Sequence, residues 1–114
     1  MKSKILVIDD EEMIIDILKH AKCGPEVELM FCNNAKEAVE LIPTADAIIS
    51  DVRMANSDVL ENALAKVGPE VFIVRMTGDL DHPAKHLLFK PFSLKKFKET
   101  VSLVLTHINS NQDS

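Results

Sequence analysis

The stretch Lys4-Ile5-Leu6-Val7-Ile8-Asp9-Asp10 decides how the rest of the chain is read. Ile5 to Ile8 form an apolar run too short for a buried helix and rich in β-branched residues, so it reads as a strand covered on both faces, as in a parallel sheet. It stops abruptly at two carboxylates. The same punctuation recurs downstream: Ala47-Ile48-Ile49-Ser50 runs into Asp51, Val71-Phe72-Ile73-Val74-Arg75-Met76 into Thr77, and Leu87-Leu88-Phe89 into Lys90-Pro91. In an open α/β sheet, ligands bind beyond the carboxyl ends of the strands. Four strands would therefore direct the carboxylates of Asp9, Asp10 and Asp51, the Thr77 hydroxyl and the Lys90 ammonium to one edge. Clustered carboxylates repel one another, and a hard divalent cation held by oxygen relieves that repulsion. The residues read as a Mg²⁺ site with an aspartate beside it.

Helix-period segments alternate with these runs, the signature of βαβ units. Ile14, Ile17, Leu18 and Ala21 share a helical face that Gly24-Pro25 ends. Val27 to Cys32 reads as a further strand. Asn34 with Glu37 three residues on is a capping-box variant ahead of Ala35, Ala38, Val39 and Ile42. Leu60, Ala63, Leu64 and Val67 mark a third helix. Ser93 is an N-cap candidate for a long stripe of Leu94, Phe97, Val101, Val104 and Ile108, with Asn109 to Ser114 as a polar, frayed tail. The bland alternatives are that Asp9-Asp10 merely caps the first helix, where a carboxylate is worth ~0.3–1 kcal/mol, and that Thr77 is an ordinary strand residue.

From Lys4 to about Ile108 the chain resembles the receiver domain of two-component response regulators. Asp9 and Asp10, Asp51, Thr77-Gly78 and Lys90-Pro91-Phe92 carry the resemblance, each at a strand end and in this order. It implies a single flavodoxin-like α/β domain over residues 1–108, a doubly wound five-stranded parallel sheet of order 2-1-3-4-5, and a tail over 109–114. It implies that Asp51 is the phosphoacceptor, that Asp9, Asp10 and Asp51 hold Mg²⁺ with the backbone carbonyl of Arg53, and that Thr77 and Lys90 contact the phosphoryl group. A cis Lys90-Pro91 bond is also expected. The implied partners are a histidine kinase or phosphotransfer protein and an output protein, with the chain a monomer or weak dimer. Any enzymatic activity would be weak Mg²⁺-dependent autophosphorylation and autodephosphorylation.

The chain departs from the family in three places. Leu87 stands three residues before Lys90, where an aromatic switch residue is usual. Ala55 and Val59 stand where proline and glycine are common. Only the residues from Thr77 to Leu87 join the fourth and fifth strands, and a parallel crossover with its helix needs at least ~10–12 residues. Asp79-Leu80-Asp81-His82-Pro83 has loop chemistry, so the fourth helix is expected to be absent or vestigial. Apolar surface near Leu80, Leu87 and the Phe97 side of the last helix should then lie open, forming a partner-binding face.

A chain of 114 residues is one domain's length. Its net charge of −5 and scattered lysines argue against direct nucleic-acid binding. No apolar run approaches the ~20 residues of a membrane span, and no signal-peptide pattern precedes the first strand, so a cytoplasmic location is expected. Cys23 and Cys32 read as two reduced thiols, and the four histidines as solvated side chains. Two other functions stay open: a receiver-like interaction module that works without phosphate, and, more remotely, a haloacid-dehalogenase-like phosphatase, which would need Asp-x-Asp where this chain has adjacent aspartates.

Overall fold

The computed structural model describes residues 2–52 and 57–112. Five strands, β1 (Ser3–Ile8), β2 (Val27–Cys32), β3 (Ala47–Asp51), β4 (Phe72–Thr77) and β5 (Leu87–Phe89), form one parallel sheet in the order β2-β1-β3-β4-β5. Alternation along the strands divides the core in two. Ile5 and Val7 of β1 pack with Ala47, Ile49, Val74 and Met76 under helices α1 (Glu12–Leu18) and α4 (Leu94–Gln112). Leu6, Ile8 and Ile48 face the other way, under α2 (Ala35–Leu41) and α3 (Ser57–Ala65).

Helices α2 and α4 begin where the sequence supplies acceptors for their first N–H groups. Asn34 Oδ1 accepts from Glu37 N at 2.8 Å, and Ser93 Oγ accepts from Lys96 N at 3.1 Å. A 3-10 turn over Ile42–Thr44 extends α2. The expected face of α1 is corrected: Ile15 and Leu18 are buried and Ile14 is partly so, whereas Ile17 faces solvent, because the helix lies rotated against β1 and stops at Leu18. Gly24, at φ +94°, turns the chain back into β2. On α4, Phe97, Val101, Val104 and Ile108 are buried as expected, but Leu94 is exposed and the helix continues to Gln112, beyond the end of its apolar stripe. Two histidines depart from the solvated expectation: His86 and His107 pack on the Phe72 ring with centroids 4.1 and 4.4 Å away. Cys32 is buried, its Sγ donating to the Asn34 carbonyl at 3.1 Å, and Cys23 is half-buried and unpaired with it.

No helix lies between β4 and β5. The segment from Gly78 to His86 is turn and loop, with Leu80 78% exposed, Phe89 40% exposed and Leu87 half-buried. Phe97 does not join that surface. It points into the sheet and is fully buried. In place of the missing helix, β4 carries Arg75 on the α2–α3 side. Its alkyl stem shields the sheet, its guanidinium pairs with Glu61 of α3, and its Nε has no hydrogen-bond partner among the described residues.

The orientation of α4 yields a paired test. Phe97→Ala should destabilise the fold by about 3–5 kcal/mol, as expected for an aromatic core deletion, while Leu103→Ala on the exposed face should stay within about 0.5 kcal/mol. Urea unfolding midpoints measure both, and equal losses would mean that α4 is docked differently.

Candidate functional site

Parallel register brings the strand ends together. Ile8 of β1 lies beside Ser50 of β3, Asp51 beside Met76, and Thr77 beside Phe89. The next residues of β1 and β5 are Asp9 and Lys90, and both remain tied to the sheet: Asp9 N donates to the Cys32 carbonyl at 3.1 Å and Lys90 N to the Thr77 carbonyl at 2.9 Å. All of the chemistry therefore sits on one edge. The Lys90–Pro91 bond is cis, as expected.

Lys90 reaches across β4 to the carboxylates. Its Nζ lies 2.9 Å from Asp9 Oδ2, 3.2 Å from Asp51 Oδ2 and 3.3 Å from Glu11 Oε1. Asp9 is fully buried and Asp51 nearly so, at 5% exposure. The Asp9 backbone position is reinforced by its own side chain, whose Oδ1 accepts from Glu11 N at 2.9 Å. Burial raises the Asp9 carboxyl above its ordinary value despite the opposing hydrogen bond from Lys90. Burial of Lys90 would lower its ammonium, but the Asp9 hydrogen bond and the Asp9 and Asp51 charges outweigh it and raise the group above its ordinary value.

The residues fit a hard divalent cation. Asp9, Asp10 and Asp51 each offer one carboxylate oxygen, and the three atoms lie within 4.8 Å of one another. An all-oxygen set of this kind suits Mg²⁺. The carbonyl of Arg53, the fourth ligand expected, lies outside the described residues, as does Ala55.

A pocket of about 430 Å³ opens above Asp51, walled by Thr77, Gly78 and Lys90 and also by Glu11 and Asp79. Thr77 is buried, and its Oγ1 accepts from Asp79 N at 3.0 Å. Asp9, Asp10, Asp51, Thr77 and Lys90 thus meet as the sequence predicts. Glu11 and Asp79 do not figure among the sequence-predicted site residues. Their only signal is position, one residue after Asp10 and two after Thr77, and both look like ordinary solvated acids in the sequence.

The fold recurs in solved structures. The chain superposes on the signal receiver domain of an HD domain-containing protein from Pseudomonas fluorescens Pf-5 with a TM-score of 0.80 at 21% identity, covering 96% of this chain and 99% of that one. The fold is that of a response-regulator receiver domain. The receiver-modulated diguanylate cyclase structure from Pelobacter carbinolicus matches at a TM-score of 0.71 and 24% identity, with 98% and 99% covered. The chemotaxis response regulator CheY4 of Vibrio cholerae matches at 0.67 and 21%, with 91% and 99% covered. No family model matches the sequence, and no curated protein does. At this identity the receiver fold is what is shared, and the roles of the residues rest on the geometry above.

Because the folded chain holds the Lys90 proton more tightly than the unfolded chain, the stability Lys90 contributes is complete below its ordinary pKa of 10.5 and is lost as pH rises through the higher folded value. In metal-free buffer, the wild type should therefore lose more stability between neutral pH and about pH 11–12 than Lys90→Met does. Urea midpoints measured across that range test this; parallel curves would contradict the ion-paired geometry.

Proposed function

We propose that this chain is a phosphoacceptor switch of a two-component phosphorelay, in which Asp51 takes a phosphoryl group from a phosphohistidine on a histidine kinase or phosphotransfer protein. The observation that carries the proposal is the meeting of Asp51, Thr77 and Lys90 at one pocket beside Asp9 and Asp10. A carboxylate oxygen of Asp51 forms the new bond to phosphorus as the phosphorus–nitrogen bond of the donor breaks, and the imidazole, protonated on its other nitrogen, leaves neutral. Lys90, already 3.2 Å from Asp51 Oδ2, is in reach of the oxygens of the transferred group, where charge accumulates. Mg²⁺ held by Asp9, Asp10 and Asp51, with the Arg53 carbonyl as a further ligand, would supply neutralisation of the same oxygens.

The donor has a surface to dock on. Met13 is 78% and Ile17 51% exposed on α1, the helix that starts beside Asp10 and Glu11. Apolar side chains exposed on one helix next to a reactive pocket suit a protein partner. No helix among the described residues is long and apolar enough to cross a membrane, and a cytoplasmic site of action accords with a kinase as donor.

The signal leaves through the β4–β5 loop. With Leu87 at the aromatic switch position, the connection from site to surface is Thr77, whose Oγ1 now accepts from Asp79 N. Turning that hydroxyl toward a phosphoryl group removes the acceptor and frees a loop that carries the exposed Leu80. The output protein would read this loop and the neighbouring β5 edge.

Two measurements test the proposal. Acetyl phosphate or phosphoramidate with Mg²⁺ should label the wild type on Asp51, seen by mass spectrometry, and Asp51→Asn should not be labelled. Mg²⁺ at about a hundred times its Kd should stabilise the wild type by about 2.7 kcal/mol, and Asp10→Ala should lose that gain. An unlabelled wild type favours the phosphate-independent module. Beryllofluoride should also raise amide exchange at Asp79 and through residues 80–86, whereas unchanged exchange would remove the loop from the signalling route.

A further inference from the structure

The chain carries a net charge of −5, yet one groove on its surface is basic. It lies between the turn that follows α1 and the first turns of α4 and has a volume of about 560 Å³. His20, Ala21 and Lys22 line one side, and Leu94, Lys95 and Lys98 the other. Lys95 and Lys98, three residues apart, share a helical face, where like charges repel, and Lys22 brings a third ammonium across the groove. Burial raises the Cys23 thiol and the Lys98 charge opposes it, so the Lys98 ammonium reaches over the turn beside Lys22. None of these three lysines has an ion-pair partner among the described residues. The carboxylate on the wall, Glu99, lies 4.0 Å from Lys96, which does not line the groove. The positive charge gathered here is therefore unanswered among the described residues.

The surroundings limit what can answer it. Where α1 faces the end of β2, the wall is mainly acidic, with Glu12, Asp16 and Glu37 against Lys19. A long polyanion such as a nucleic acid would continue from the basic groove onto carboxylates. A short segment with two or three carboxylates fits within the basic stretch. Leu94, 37% exposed, and Ala21 set apolar surface among the lysines, and the lysine stems extend it. An inorganic anion would leave that surface in water, whereas an apolar side chain between the acids would cover it. We propose that this groove docks a short acidic segment of a partner protein, whose carboxylates pair with Lys22, Lys95 and Lys98 while an interleaved apolar side chain packs on Leu94. The groove shares no lining residue with the pocket above Asp51, so the acidic partner docks without entering that pocket.

Fluorescence anisotropy at low salt tests this with a labelled peptide in which glutamate and leucine alternate. The controls are the same peptide with glutamine for glutamate and a single-stranded DNA oligonucleotide of equal charge. The full chain should bind the acidic peptide, and Lys22→Gln, Lys95→Gln and Lys98→Gln together should weaken binding about tenfold, through the loss of three exposed ion pairs. A second triple variant, Lys36→Gln, Lys66→Gln, Lys85→Gln, makes the same change in net charge at exposed lysines outside the groove and should bind within about twofold of the wild type. Amide shifts on adding the acidic peptide should fall in residues 20–22 and 94–98. Equal losses in the two triple variants would reduce the effect to general charge attraction, and equal binding of the glutamine peptide would remove the lysines as anchors. Tighter binding of the oligonucleotide would reassign the groove to nucleic acid. Each of these overturns the inference, as does a wild type that binds none of the probes. Acetyl phosphate labelling of Asp51 should be unchanged in the groove variant; slower labelling would make the groove part of the phosphoryl site and overturn its separate role.

Discussion

The Lys90 ammonium is the tie on which the site depends. It arrives from beyond β5, passes over the end of β4, and meets carboxylates that β1 and β3 bring to the same edge. Without a cation there, Asp9 and Asp51 would face each other almost wholly out of water, where like charges repel strongly. Lys90 offsets part of that repulsion. Burial nevertheless holds the Asp9 carboxyl above its ordinary value, and the three carboxylate oxygens that meet there suit a hard divalent cation. Lys90 thus stabilises the sheet edge and completes the pocket above Asp51.

The loss of one helix reshapes the fold on the opposite side of that pocket. A receiver sheet needs both faces covered, because a parallel strand is apolar on both sides. Here β5 has shrunk to three residues, and the open face of β4 is shielded by Arg75, whose pairing with Glu61 pins α3 to the strand. The connection that remains, from Gly78 to His86, is too short to bury a helix and begins at the hydroxyl that borders the pocket above Asp51. A single residue, Thr77, therefore stands between the pocket and the exposed loop.

The pocket and the short loop are connected through Asp79. Its amide donates to the Thr77 hydroxyl, its carboxylate accepts from Asp81 N, and the residue borders the pocket.

Much of this was legible in the chain. Apolar runs such as Ile5–Ile8 and Ala47–Ser50, each ending in a carboxylate, specify buried parallel strands and the edge at which they deliver their side chains, because period and length depend only on local chemistry. The absent helix was legible for the same reason: a crossover has a minimum length, and the residues after Thr77 fall short of it. The rotation of α1 that buries Ile15 and exposes Ile17, the stacking of His86 and His107 on Phe72, and the reach of Glu11 to Lys90 were not. Those depend on contacts between elements distant in sequence, and a helical stripe with several adjacent isoleucines fits more than one rotation. The sequence by itself determined which groups stand at the strand ends. Only tertiary packing decided that Glu11 and Asp79 stand with them, since whether an exposed acid faces a pocket or open solvent is set by loop geometry that no local pattern encodes.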